Sequence, residues 1–331
     1  MNIMLGALVG DAAGATIEGR RESISAEQVE HALTMPGGGV LGVGPGQITD
    51  DGELTLSLWR AIHTWNPADG FPIYCVIKQY ADWYDSCPFD IGQTCAQAFE
   101  LWNDHIQTVM TPHPGYSDEE IAHVKREIYR RNRGSQANGA LMRVSALAAW
   151  IAPHPAVSAE QAAEYAMEDA TLSHPHAICQ ETNAIYVYTL VNLLRGVSPL
   201  KAMEYTNEFV VMNDFSPEVK DWYFNESQNI DTMNCLVNRG HVRLAFVLAF
   251  YFLRHPTIGF EEAIRQTLLK GGDTDTNACI VGGMVGAYQP IPSRLLDPVM
   301  TFDCTKRRNL RPPEYSVRAV LGPLVTNAKA V

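Results

Sequence analysis

The chain has 331 residues, 46% of them hydrophobic and 19% charged, with a formal net charge of −12. That composition is globular, and the acidic balance excludes a general nucleic-acid or membrane-surface binder, which would carry a basic excess. The length allows one large domain or two smaller ones, and an acidic protein that handles an anionic ligand must do so through a local patch or a metal.

Leu5, Leu8, Val9 and Ala12 follow the i, i+3, i+4, i+7 spacing of a helix. This start is not a signal peptide: it has no basic n-region, and Asp11 interrupts the apolar run after about nine residues, before any cleavage site. Pro36-Gly37-Gly38-Gly39 through Gly44-Pro45-Gly46 is rich in turn residues and predicts a flexible loop or lid. No Lys-Ser or Lys-Thr follows it, so it is not read as a phosphate loop. Thr49-Asp50-Asp51 then opens a second periodic stretch of Leu54, Leu58, Ala61, Ile62 and Trp65. Further turns are expected at Thr111-Pro112-His113-Pro114-Gly115 and Arg133-Gly134-Ser135. Arg130, Arg131 and Arg133 read as a solvated helix end in preference to the mouth of an anion site.

Ala159, Ala162, Ala163, Ala166 and Ala170 give an alanine-lined helix face. His174 and His176 fall at a helix junction with no third nitrogen or sulfur ligand nearby, which favours hydrogen bonding or ligand stacking over zinc. Ile185 to Val191 is rich in β-branched and aromatic residues, yet Ala177 to Leu194 runs without Gly or Pro, so a buried helix is expected. Val242 to Leu253 and Phe260 to Leu268 are again helical in period. From Asp273 a further helix carries Ala278, Gly282, Gly283, Gly286 and Ala287, small residues that let backbones approach closely; it is expected to be central. Lys306, Arg307, Arg308 and Arg311 read as a surface run. The seven cysteines are odd in number and include no C-x-x-C pair, as in reduced thiols. No stretch is long enough to span a bilayer. The expectation is an all-α, cytoplasmic protein in one compact domain, 1–331, with a monomer as the default.

The chemistry concentrates in two clusters near opposite ends of the chain, Thr49-Asp50-Asp51 and Gly271-Gly272-Asp273-Thr274-Asp275-Thr276. Either alone reads as a helix cap, with Glu53 as the reciprocal glutamate of the first. A cap needs one carboxylate and each cluster has two, which repel unless a cation or proton neutralises them. If the clusters meet, they supply the oxygen donors that hard divalent cations prefer. They could hold two ions about 3.5–4 Å apart, as in two-metal hydrolases. Elsewhere there is no G-x-S-x-G elbow and no H-E-x-x-H.

Gly6 to Gly14, Glu18, Thr49-Asp50-Asp51, Asn138-Gly139-Ala140-Leu141-Met142-Arg143, Ser173-His174 and Gly271 to Thr276 occur in this order, and together they resemble the ADP-ribosylglycohydrolase family over residues 3–290. The resemblance implies a compact orthogonal multi-helix bundle with two Mg2+ or Mn2+ ions at the base of a cleft. Thr49, Asp50, Asp51, Asp273, Asp275 and Thr276 would be their ligands, with Asp275 bridging. It implies Glu18 at the cleft, and Asn138, Gly139, Ala140, Leu141 and Met142 lining a pocket for ribose and phosphates, with His174 near the nucleotide half. Two departures stand out: Gly52 occupies a position where many members have threonine, and Leu141 stands where a small residue is commoner and would narrow the cleft. The stretch from about residue 299 is expected to lie outside the family's pattern.

The implied reaction is hydrolysis of the bond between C1 of the distal ribose of ADP-ribose and a protein side chain, with arginine the favoured linkage. Asp50 or Asp51 would orient water, and Glu18 would position substrate or protonate the leaving group. The partner would be an ADP-ribosylated protein or ADP-ribose conjugate, with no nucleic acid or membrane involved. The competing reading is a non-catalytic binder, such as an immunity protein that blocks an ADP-ribosylating partner; a weaker one is a calcium-stabilised helical protein without a ligand.

Overall fold

The computed structural model describes residues 1–108, 117–306 and 309–328. The expected turn at 111–115 and Arg307 and Arg308 lie outside these residues. Sixteen α-helices are described, with no strand among them. They are α1 (Asn2–Gly14), α2 (Ala26–Leu33), α3 (Asp50–Ile62), α4 (Ile73–Asp85), α5 (Gln93–Thr108), α6 (Asp118–Asn132), α7 (Ser145–Ile151) and α8 (Ala159–Thr171). There follow α9 (Ala177–Leu194), α10 (Pro199–Met212), α11 (Pro217–Phe224), α12 (Val242–Arg254), α13 (Phe260–Leu269), α14 (Thr274–Gly286), α15 (Ser293–Thr301) and α16 (Val317–Ala328). The β-prone Ile185–Val191 run lies inside α9, where nearly every side chain is buried. Burial on all sides removes the amphipathic stripe, and tertiary packing overrides β propensity.

Helices α1 and α14 form the centre. Neither has a polar face: residues 3–14 and 274–286 are all buried. They run antiparallel along a seam of glycines spaced by four, so that Gly6 meets Gly282, Gly10 meets Ala278 and Gly14 meets Thr274. A methyl group built on Gly10 would lie 1.9 Å from the Ala278 carbonyl oxygen, and one on Gly6 2.3 Å from that of Gly282. Only residues without a side chain allow this approach. Because the helices are antiparallel, the C-terminus of α1 and the N-terminus of α14 share one end of the bundle. Thr274 fixes that end by donating its hydroxyl to the Gly14 carbonyl, 2.9 Å. Helices α12 and α13 flank α14, while α3 and α7 pack against α1.

Two expectations about the periphery need correction. Arg311 is buried, not part of a surface run: it pairs with Glu53 in α3 at 2.9 Å, donates to the Ser86 carbonyl and hydroxyl, and stacks over Tyr315. Glu53 therefore does not close a capping box on α3; it binds Arg311 and the Trp83 indole N–H. The glycine-rich loop is tied down. Gly38 and Val43 exchange backbone hydrogen bonds, and Gln47 donates to the Asn309 carbonyl, which joins the loop to the C-terminal segment. Arg130 and Arg131 pair with Glu127 and Glu100 on an exposed helix end, as expected. All seven cysteines are free thiols. No helix among the described residues is long and apolar enough to cross a membrane.

Candidate active site and metal centre

The two aspartate clusters meet. The N-terminus of α3 carries Asp50 and Asp51, and the N-terminus of α14 carries Asp273 and Asp275. Both helix ends open into one cavity of about 210 Å³. Helix N-termini present unpaired N–H groups and a partial positive charge, which is why carboxylates collect there. Neither helix is capped by the side chain of its own N-cap residue. A larger groove of about 700 Å³, between Pro45, Pro298 and Arg318, lacks comparable chemistry: its one acid, Asp303, is paired with Lys306.

Glu18, Asp273 and Asp275 bring carboxylate oxygens within 4.8 Å of one another. Asp50, Thr276, Asn138, Gly139, Met142 and His174 also line the cavity. Thr49 and Asp51 lie beneath it, fully buried. The Thr49 hydroxyl donates to Asp51 at 3.1 Å and the Thr276 hydroxyl to the same oxygen at 3.3 Å, while the other Asp51 oxygen is buried without a partner. Asn138 donates its amide to Asp273 at 2.7 Å. His174 is buried; its Nδ1 faces Ser173 at 2.8 Å, and its Nε2 has no partner. Ala140 and Leu141 are not in the lining. Both are buried in the core, so Leu141 does not narrow the cleft.

Two acids that belong to this centre were not singled out from sequence. Asp11 sits in the last turn of α1 and caps α3 from outside, accepting from the Thr49 and Gly52 amides and the Thr49 hydroxyl at 2.9–3.1 Å. This contact explains Gly52: a methyl group there would fall 2.6 Å from the Asp11 carboxylate. The signal was present in the sequence, since a lone acid inside an otherwise apolar helix must have a buried partner. Asp90, in the loop before α5, lines the cavity and shares a hydrogen bond with Asp50. Nothing in its local sequence marks it.

So many acids in one buried place resist ionisation. Burial, then the neighbouring carboxylates, holds Asp50, Asp51 and Asp275 well above the usual carboxylate range. Burial pushes Glu18 up to about 7 and Asp90 up to about 6, with Asp273 adding repulsion to both. Asp11 also rises to about 7 through burial, against the pull of its Thr49 and Gly52 hydrogen bonds. Such a cluster is stable when it holds protons or cations. The orphaned Asp51 oxygen, the converging Glu18, Asp273 and Asp275 oxygens and the all-oxygen donor set fit hard divalent cations.

Comparison with known proteins agrees with this geometry. The sequence matches the family described as ADP-ribosylglycohydrolase over residues 1–315. It is 28% identical, over 92% of each chain, to a protein of Acanthamoeba polyphaga mimivirus provisionally named an ADP-ribosyl glycohydrolase. It is also 28% identical to the ADP-ribosyl-[dinitrogen reductase] glycohydrolase of Rhodospirillum rubrum, covering 97% of this chain and 96% of that one. A solved structure described as an ADP-ribosylglycohydrolase-related protein complex shares the all-α fold, with a TM-score of 0.68 at 22% identity over 96% of this chain and 94% of that chain. The match extends past residue 299, so the segment carrying Arg311 lies within the family's pattern after all. With its two acidic motifs closed into one cleft and its sequence matched from residue 1 to 315, the chain belongs to the ADP-ribosylglycohydrolase family.

Proposed function

We propose that this protein is a metal-dependent hydrolase that removes ADP-ribose from modified protein side chains, with arginine the favoured linkage. The observation that carries this reading is the convergence of Asp50, Asp273, Asp275 and Glu18 on one cavity, in a chain of this family. Thr49, Asp50, Asp51, Asp273, Asp275 and Thr276 would hold two Mg2+ or Mn2+ ions, with Glu18 at their edge. When bound, such ions supply positive charge that fixes ribose hydroxyls and acidifies water.

The protein's own groups account for the rest. Asn138, Gly139, Met142 and His174 form the wall along which the ADP-ribose lies, and Asn138 steadies Asp273. Positive charge develops on the ring as the C1 bond breaks, and the surrounding carboxylates stabilise it. Water attacks C1 while the bond to the side-chain nitrogen or oxygen breaks and that atom takes a proton. Glu18, half-buried at the edge of the cavity, would carry that proton to the departing atom. Asp50, hydrogen-bonded to Asp90, would orient the water and take up its proton. Asp51 lies deeper and acts through the ligand set. A pure binder has no use for a buried carboxylate oxygen without a partner, such as the second oxygen of Asp51, which disfavours the non-catalytic alternative.

The test is release of free ADP-ribose from arginine- and serine-linked ADP-ribosylated proteins, with Mg2+ or Mn2+. The control is an Asp50→Ala plus Asp273→Ala variant. Release by the wild type alone supports the hydrolase and names its linkage. No release from either substrate by protein that binds the metal would refute it.

A further inference from the structure

The turn that follows α1 borders two openings. Glu18 lines the acidic cavity, with its carboxylate near those of Asp273 and Asp275. Thr16, Ile17 and Arg20 line a separate groove of about 530 Å³, whose far wall is α2, through Glu27 and His31. The glycine-rich loop closes the third side and is pressed against the turn. A methyl group built on Gly39 would lie 2.7 Å from the Thr16 carbonyl oxygen, and one on Gly19 3.0 Å from a methyl of Val40. Val40 itself is 71% exposed, a bare apolar side chain resting on the residue next to Glu18.

Arg20 is exposed, and its guanidinium makes no hydrogen bond or ion pair with any described residue. Among the described residues that line the groove it is the one lysine or arginine, and Glu27 is the one acid. That balance suits a polypeptide of mixed charge and not a polyanion. The groove is also close to the chemistry, since two residues of chain span at most about 7 Å, so the backbones of Glu18 and Arg20 lie no farther apart than that.

On the function proposed above, Glu18 passes a proton to the departing side chain, so the polypeptide that carries this side chain lies on the Glu18 side of the cavity. We propose that the groove between the 16–20 turn, α2 and the glycine-rich loop is the docking site for that polypeptide. Residues flanking the modified one cross Val40 and enter the groove, where an acidic residue about two to four positions away pairs with Arg20 in a charge-assisted hydrogen bond. The proposal rests on the hydrolase reading and adds to it a surface that selects among modified proteins by the sequence around the modified residue.

The experiment compares Mg2+-loaded wild type with the Arg20→Glu and Val40→Ser variants on two kinds of substrate. One is a set of peptides with a single ADP-ribosylated residue and either aspartate or asparagine in its flanks; the other is the ADP-ribosylated amino acid of the same linkage, which has no flanks. Wild type should show a KM about tenfold lower for the aspartate peptides, and this preference should shrink at high salt. In Arg20→Glu the preference should vanish or reverse, while in Val40→Ser the KM of every peptide should rise about threefold. For both variants kcat on peptides and both constants on the amino-acid conjugate should stay within about twofold of wild type. Arg20 has no bonded partner to lose, so its variant should melt with the wild type. Equal wild-type KM values for the aspartate and asparagine peptides would overturn the docking site, as would a variant that loses activity on peptide and amino-acid conjugate alike, which would place its effect in the cavity. Cleavage of the amino-acid conjugate without cleavage of any peptide would overturn the docking site and leave a hydrolase of small conjugates. Cleavage of neither would overturn the proposed function and the docking site together.

Discussion

Replacing Arg311 with methionine would leave the Glu53 carboxylate buried in α3 with the Trp83 indole N–H as its remaining side-chain partner among the described residues. Breaking a buried ion pair from one side costs about 3–5 kcal/mol, because the other charge stays behind in a poor solvent. The Trp83 hydrogen bond and the ability of Glu53 to take up a proton limit the loss, so we expect about 3 kcal/mol. For a chain of this size that is a fall of about 4 °C in melting temperature, measured by calorimetry or circular dichroism. Burial already raises the Glu53 pKa with Arg311 in place. Without Arg311 it rises further, and a carboxyl raised in the folded state contributes stability at low pH that is lost as pH rises through its folded value. The deficit should therefore be larger at pH 8 than at pH 5. A Glu53→Gln plus Arg311→Met double variant should recover more than half of it, since neither charge is then stranded. A single variant that melts within about 1 °C of wild type, or a double variant as unstable as the two singles summed, would refute the reasoning.

Protein stripped of metal with EDTA should be more stable at pH 5 than at pH 8. Asp90, Glu18 and Asp11 have folded pKa values of about 6, 7 and 7 against ordinary values of 3.8, 4.5 and 3.8, so stability is lost as pH rises through that window. Adding Mg2+ at pH 8 should restore the melting temperature; a metal-free protein that stabilises on going from pH 5 to pH 8 would contradict this account of the site. Gly10→Ala should destabilise the protein by about 3 kcal/mol or more, because the new methyl meets backbone and no flexible side chain can yield. Urea unfolding would check it, with an unchanged midpoint as the contrary result.

The two acidic motifs were legible because each crowds two carboxylates at a helix start, which capping does not require. The all-α fold was legible in periodicity and, for α9, in the unbroken run without Gly or Pro. What stayed hidden depends on contacts between segments far apart in the chain. Arg311 sits in a stretch that reads as surface until the pocket formed by Glu53, Ser86 and Tyr315 is seen. Asp90 looks like any loop acid, and its place beside Asp50 follows from how α4 packs on both α3 and α5 and so brings the loop between α4 and α5 over the cavity. Leu141 was assigned to the cleft by its neighbours, but it turns into the core while Gly139 and Met142 face the cavity. Gly52 makes sense only once the Asp11 carboxylate is found pressed against it.

The glycine seam has a consequence for how the protein comes into being. Gly6 can meet Gly282 only when α14 has been synthesised, so α1 must wait for its partner until every helix between them has been made. Until then α1, buried on every face in the finished fold, lacks a side suited to water and must be shielded or transiently misplaced while the intervening helices are made. The acid cluster closes at the same late moment. A nascent chain arrested before residue 274 should therefore have neither its central helix pair nor a complete acid cluster, however well its intervening helices have formed.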